Sequence, residues 1–292
     1  MRRYLAEFLS DPRVVQLPRF LWLPILHGII LRTRPAKSAK KYESVWTPEG
    51  SPLAVHTRRQ SDLLRDFLLQ KKISVEYAMR YGEPAIADGL KKLSNCKKIT
   101  VIPLYPQYSR STTESVRDVL ATGAGPDLKM IESFHDHPAY IAALAAGVRR
   151  HWNANGRGEK LVMSFHGLPK RAVDRGDPYQ RQCGETARLL ADAIQLKQND
   201  WILTFQSRFG AAEWLQPYTE PVLAALARGG ATRVDVVCPG FVSDCLETLE
   251  EIAIAGRQAF LGAGGAEFHV LPCLNESPEW IEALAKIVGT AP

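Results

Sequence analysis

The run Leu161-Val162-Met163-Ser164-Phe165 ends abruptly at His166-Gly167-Leu168-Pro169. An apolar run this short, stopped by glycine and proline, predicts a buried strand reaching its C-terminal edge, where open α/β sheets place their ligands. His166 therefore stands where chemistry is done, although a strand-end histidine satisfied by a backbone carbonyl explains the segment equally well. The alternation continues along the chain. Residues 53–69 repeat apolar side chains at helical spacing, 73–79 read as a strand, 85–93 as a helix and 99–103 as a strand. After residue 161 come a helix over 179–196, a strand over 201–205, a helix over 218–227 and a strand over 234–238. Alternating strands and helices predict α/β architecture, with parallel sheets covered by helices on both faces.

A chain of 292 residues exceeds the usual single core and predicts two domains with a cleft between them. Short matches between the halves support two similar lobes. Arg80-Tyr81-Gly82 and Arg208-Phe209-Gly210 each follow a strand and precede a helix and an apolar strand ending in proline, at Pro103 and Pro239. The expected arrangement is a pair of Rossmann-like, doubly wound lobes facing a cleft. Residues 1–140 form the N-terminal lobe and 141–276 the C-terminal lobe, with a helix over 277–289 packing back on the first. Neither half carries G-x-G-x-x-G or a P-loop, so nucleotide binding has no positive support.

The net charge of +6 suits nucleic acid, a membrane surface or an anionic small molecule. No base-reading or RNA-binding motif accompanies it, which sets nucleic acid aside. Arg32, Arg34, Lys37, Lys40 and Lys41 cluster beside an apolar stretch over 17–31 that Pro18, Pro24 and Gly28 interrupt. That stretch is too short to span a bilayer, but residues 17–34 suit a peripheral membrane contact or the lip of an apolar pocket. Five scattered cysteines without a C-x-x-C pair argue for a reducing, cytoplasmic setting and against a disulfide framework or cysteine-rich metal site. Residues 2–9 alternate charge with apolar side chains as an amphipathic helix does, unlike a signal peptide.

Beyond the strand over 234–238 lies Pro239-Gly240-Phe241-Val242-Ser243-Asp244-Cys245-Leu246-Glu247-Thr248-Leu249-Glu250-Glu251. At α-helical spacing Asp244, Glu247 and Glu251 share one stripe, with Leu246, Leu249 and Ala253 opposite. Asp244 with Glu247 also reads as a capping box, which leaves Glu251 unexplained except as a solvated face. A neutral imidazole and these carboxylates suit two jobs: ligating a divalent first-row metal, or accepting and relaying protons.

The motifs quoted for His166 and for the acidic helix resemble those of the ferrochelatase family. So do Arg175-Gly176-Asp177-Pro178-Tyr179, Phe205-Gln206-Ser207-Arg208-Phe209-Gly210 with Trp214-Leu215, Leu274-Asn275, Ser277-Pro278, Tyr105-Pro106-Gln107-Tyr108-Ser109 and Ser111-Thr112-Thr113. The resemblance covers essentially the whole chain. It implies a chelatase-like fold and insertion of Fe²⁺ into protoporphyrin IX to give protoheme, with release of two protons and without ATP. It further implies that His166 and Glu247 are the iron-site residues, that His166 accepts the pyrrole protons, and that Glu251 continues a proton or metal path. Tyr108, Arg80 and Arg34 are candidate porphyrin-pocket residues by position, with an exposed basic loop an equal reading for Arg34.

Two departures from the family pattern bear on this. Cys245 stands where animal members carry a histidine, and the chain lacks their cysteine-bearing C-terminal extension, so no iron–sulfur cluster and no cofactor beyond substrate Fe²⁺ is expected. Family members also begin with a strand and a Gly-Thr-Pro loop ahead of the helix at residues 2–9, so the first strand of the N-terminal lobe is expected to be missing. The rival readings are a tetrapyrrole-binding protein without turnover, and a chelatase preferring coproporphyrin, another divalent metal or a cobalt-containing macrocycle.

Overall fold

The computed structural model describes residues 1–121 and 127–289. The first half opens with helices: α1 (Arg2–Ser10), α2 (Arg19–Ile25), a π-helical turn (Leu26–Ile30), α3 (Leu31–Glu43) and α4 (Pro52–Leu68). There follow α5 (Ile86–Lys92), β1 (Lys98–Val101), α6 (Thr113–Leu120), β2 (Asp127–Met130) and α7 (Pro138–Asn155). The second half runs β3 (Lys160–His166), α8 (Lys170–Asp174), α9 (Tyr179–Ala193), β4 (Trp201–Gln206), α10 (Thr219–Arg228) and β5 (Arg233–Val237). A π helix (Glu247–Gly256) then continues as α11 (Arg257–Gly262), and β6 (Glu267–Val270) and α12 (Pro278–Ile287) close the chain.

Both sheets are parallel, as the alternation predicted. β1 pairs with β2, and the larger sheet has the order β4-β3-β5-β6. Residues 73–79 depart from their expected strand. They lie outside both ladders, with one isolated bridge from Met79 to Ala85. The Arg65 guanidinium donates to the Val75 carbonyl through Nε (3.0 Å) and Nη2 (2.8 Å), so a side chain meets the acceptor that a neighbouring strand would have used.

The central strand β3 divides two cores by its period of two. Leu161, Met163 and Phe165 face one core, with Leu203 and Phe205 of β4 and side chains of α7, α9 and α12. Val162 faces the other, with Val234 and Val236 of β5, Phe268 of β6, Leu223 of α10 and Phe260 of α11. A third cluster, Leu5, Leu9, Leu26 and Leu31, holds α1 to the α2–α3 segment.

The first core is built around Trp280 of α12, whose ring lies 5.8 Å from Phe134 and 6.0 Å from Tyr140. Its indole Nε1 donates to Gln60 Oε1 on α4 (3.2 Å), and Gln60 Nε2 donates to Ser243 Oγ (2.8 Å). The Tyr140 hydroxyl donates to the Pro239 carbonyl. The chain between β5 and the π helix is thus gripped from α4 and from α7. Trp280 is fully buried, so Trp280→Ala should cost about 3–5 kcal/mol in urea unfolding. A loss below about 1 kcal/mol would show that this core closes around the gap.

Candidate active site

On the second-core face of β3 the side chains run from apolar to polar toward the strand's C-terminal end: Val162, Ser164, His166. β4 does the same beside it, since Ser164 pairs with Thr204 and His166 with Gln206. Paired residues of parallel strands share a face, so a polar cluster forms at the sheet edge. The buried Ser164 hydroxyl donates to Gln206 Oε1 and lies 2.8 Å from Thr219 Oγ1, which donates to Thr204 Oγ1. Gln206 Nε2 donates to the Glu247 carbonyl (2.7 Å) and to Glu251 Oε2 (3.3 Å).

His166 is held by its own loop. Its Nδ1 lies 2.7 Å from the Gly167 carbonyl, and a carbonyl only accepts, so Nδ1 carries the proton and Nε2 of the neutral ring keeps a lone pair. Gly167 lies flush on β4, its N–H donating to the Gln206 carbonyl at 2.8 Å, and a Cβ at this position would also come within 2.8 Å of that oxygen. Glycine is required there because the backbones approach too closely for any side chain. Phe241 flanks the imidazole, ring centres 6.5 Å apart.

The acidic segment folds differently from the expected α helix capped by Asp244. Glu247–Gly256 is π-helical, and Leu246 at its N-cap makes no side-chain cap. Asp244 instead accepts from Thr248 Oγ1 (2.9 Å) and from Asn275 Nδ2 (2.7 Å), tying the helix to the chain after β6. Periodicity cannot reveal a π helix, because carboxylates four apart fall near one another under either hydrogen-bonding pattern. Glu247 and Glu251 remain neighbours. Burial pushes the Glu251 carboxyl up, the Ser207 hydroxyl and the His166 charge oppose that rise, and the Glu247 charge adds to it. His166, when it carries a proton, and Glu247 are thus both near enough for their charge to act on Glu251.

Ser207, which donates to Glu251 Oε2 at 2.5 Å, takes a left-handed φ of +64°. A serine holds that conformation at a cost of order 1 kcal/mol, met here by the hydrogen bond it places. Gln206 and Ser207 were present in the motif read from the sequence but were not singled out. Their signal is their position one strand over from His166, which only the register supplies.

Glu247 also faces the first half. Its charge raises the hydroxyls of Tyr4, Tyr42 and Tyr105, each pushed up first by burial, Tyr42 to about 12. A cavity of about 60 Å³ lies here, lined by Tyr4, Tyr42, Ser51, Cys245 and Glu247 among others. Burial drives the Cys245 thiol well up, which leaves it a poor metal ligand. Lys41 of α3 pairs with Glu250 (2.8 Å), and the Arg34 guanidinium lies 4.4 Å from the Phe209 ring centre, so α3 bridges the halves at this point.

The remaining candidates sit apart from the histidine. Arg80 pairs with Asp11 (2.6 Å) and donates from Nε to the Ser115 carbonyl and hydroxyl. The Tyr108 hydroxyl donates to Glu114, and its N–H donates to Gln182 Oε1 (2.6 Å). Among the described residues neither shares a hydrogen bond with His166, Glu247 or Glu251. Arg80 acts at one remove, through the charge it exerts on Tyr105.

A family model described as Ferrochelatase matches residues 1–291. Ferrochelatases of Azoarcus sp. and Aromatoleum aromaticum are 57% and 56% identical to this chain, over 99% of it and 82% of each relative. A multi-domain protein of Deinococcus radiodurans with structural similarity to chelatases superposes with a TM-score of 0.54 at 15% identity, over 82% of this chain and 52% of that longer one. That last likeness concerns the fold alone.

The raised Glu251 carboxyl fixes the sign of one pH effect. The fold favours its neutral form, so this group's stabilising contribution is complete below the ordinary carboxylate range and is lost as pH rises through the raised value. Glu251→Gln should remove that loss. Urea unfolding at several pH values should show the variant gaining on the parent as pH rises from acid to neutral, and parallel curves would contradict the burial argument.

Proposed function

The chain belongs to the ferrochelatase family, ATP-independent lyases of heme biosynthesis that insert iron, and from that premise we propose how its own residues carry the reaction. Insertion of Fe²⁺ into protoporphyrin IX replaces two pyrrole protons, so a site must hold the ion and take the protons. Nε2 of His166 and the Glu247 carboxylate hold the incoming Fe²⁺, and as the ion passes to the pyrrole nitrogens the freed Nε2 lone pair takes one displaced proton and the freed Glu247 carboxylate the other. Glu251, continuing along the π helix, passes protons onward. A carboxyl raised by burial suits that task, since it binds a proton more readily than an ordinary carboxylate does. The observation that carries this reading is the imidazole fixed with a free Nε2 beside two carboxylates on one helix.

Tyr108, Arg80 and Arg34 belong to the first-half side of the porphyrin pocket in this reading. The cavity of about 60 Å³ beside Glu247 is far below the several hundred Å³ that ligand pockets occupy, so it holds at most a small part of a macrocycle. Residues 1–140 and 141–276 act as the two walls. The substrates are the small-molecule partners, and no resident cofactor is invoked.

Metalloporphyrin formation from Fe²⁺ or Zn²⁺ tests the assignment. His166→Ala should retain porphyrin binding and lose about 10²-fold or more of turnover, and Glu247→Gln should fold normally and also fall. Near-normal turnover in His166→Ala would reject the role of the ring. A wild-type chain that bound porphyrin and left it metal-free would be a carrier instead.

A peripheral membrane contact through residues 17–34 is also part of the proposal. Phe20, Leu21, Ile25 and Ile29 are exposed on α2 and the π turn after it, next to the basic residues of α3. No helix among the described residues is long and apolar enough to cross a membrane. The expected setting is the cytoplasm with contact to a bilayer surface. Vesicles rich in anionic lipid should co-sediment the protein, and Phe20→Asp with Ile29→Asp should weaken that association several-fold. Equal sedimentation of both forms would remove the membrane from the proposal.

A further inference from the structure

We propose a divalent-cation site separate from the iron-insertion centre, formed by His135, Asp136 and Glu185. The first two stand between β2 and α7, and Glu185 is on α9. One ring nitrogen of His135 and one carboxylate oxygen from each acid lie within 4.8 Å of one another. The His135 side chain is only 8% exposed. Its Nε2 lies 3.1 Å from Glu185 Oε2, while Nδ1 is buried and has no hydrogen-bond partner.

That Nδ1 lies 3.7 Å from Asp136 Oδ1. The separation is too long for a hydrogen bond. It is close to the spacing of two ligands that each sit about 2.0–2.2 Å from one tetrahedral ion. The ring is held from its other edge, where Nε2 donates to Glu185 Oε2 on α9 (3.1 Å) and leaves Nδ1 as the nitrogen free to ligate, while the His135 carbonyl accepts from Thr186 Oγ1 at 2.8 Å. Buried polar atoms are nearly always paired, so an unpartnered nitrogen aimed at a carboxylate points to a missing ligand.

The donor set selects the ion. The Nδ1 lone pair and the Asp136 carboxylate, completed by water, suit divalent zinc, manganese, cobalt or iron, whereas magnesium and calcium prefer all-oxygen shells and copper(I) prefers sulfur. Asp136 as ligand and Glu185 behind the ring together balance the charge of a divalent ion at a neutral imidazole. The nearest competing cation is Arg181, 3.8 Å from Glu185 and largely exposed, so it is held loosely. Asp136 and Glu185 open to solvent, which gives the ion a route in and leaves room for water as a further ligand. The site shares no residue with His166, Glu247 or Glu251. Its effect is to clamp the β2–α7 connection to α9, so that the bound ion ties the first half of the chain to the second.

Zinc titration by calorimetry on the full chain, without porphyrin, tests the site. A His166→Ala/Glu247→Gln background removes the iron-insertion ligands and should still bind one equivalent of Zn²⁺. Adding Asp136→Asn or Glu185→Gln to that background should weaken this equivalent at least about tenfold with an unchanged circular dichroism spectrum. Co²⁺ should show d–d absorption in the background that the added substitution abolishes. Asp136 is half exposed and makes no buried bond, so its substitution does not threaten folding. Zinc affinity unchanged by Asp136→Asn, or no zinc bound in the background, would overturn the proposal and leave the cluster a histidine ion pair. Because the readout is metal binding without turnover, its failure leaves the assignment of His166 and Glu247 standing, and the reverse also holds.

Discussion

One carboxamide joins the two parts on which the site depends. Gln206 spends both amide protons on the π helix and its oxygen on Ser164, so it couples the edge of the sheet to the helix that carries Glu247 and Glu251. All of these groups are buried or half-buried, and a buried amide left unpaired costs more than the bond itself contributes. The arrangement is therefore held as a whole. Moving the helix along the sheet by one residue would strand the amide protons and the Ser164 hydroxyl together, which gives the imidazole and the carboxylates a defined separation without any bond between them.

The electrical design follows from the same layout. The imidazole comes from the end of β3, paired there with Gln206 of β4, whereas the carboxylates come from a helix of unusual hydrogen bonding anchored at Asp244, Thr248 and Asn275. Burial raises Glu251 while Ser207 and His166 restrain the rise, so the carboxyl stays able both to hold and to release a proton. Glu247 sits between this pair and a ring of tyrosines from the first half, whose hydroxyls are kept protonated by burial and by its charge. Those tyrosines can then donate hydrogen bonds and cannot compete for the metal as phenolates.

Much of this was legible in the residues. The apolar run before His166 announced a buried strand, the alternation announced parallel sheets, and most helices and strands of the second half fall within a few residues of their expected limits. The first half was harder to read. Residues 73–79 carry strand-like side chains, but whether a segment joins a ladder depends on what lies beside it, and that is tertiary information. β2 and β6 are four residues each, too short to leave a periodic trace. At the site the motifs brought His166, Glu247 and Glu251 into view, but the π geometry, the tautomer of His166 and the joint at Gln206 depend on register and loop shape, to which spacing is blind. The same holds for Asp244, whose position before a helix looked like a cap and whose actual partners, Thr248 and Asn275, include one thirty residues away or so.

The contacts of α3 have a thermodynamic consequence. Lys41 to Glu250 and Arg34 to Phe209 hold the N-terminal helices against the face that a ligand of the cleft would occupy. Under the proposed function a macrocycle on that face and the docked helices compete, so each lowers the other's affinity by the same factor. The ion pair is half exposed on its lysine side and weakens as salt screens it. On the same reading, raising the ionic strength loosens this pair and favours ligand entry, in competition with whatever screening does to the ligand's own charges.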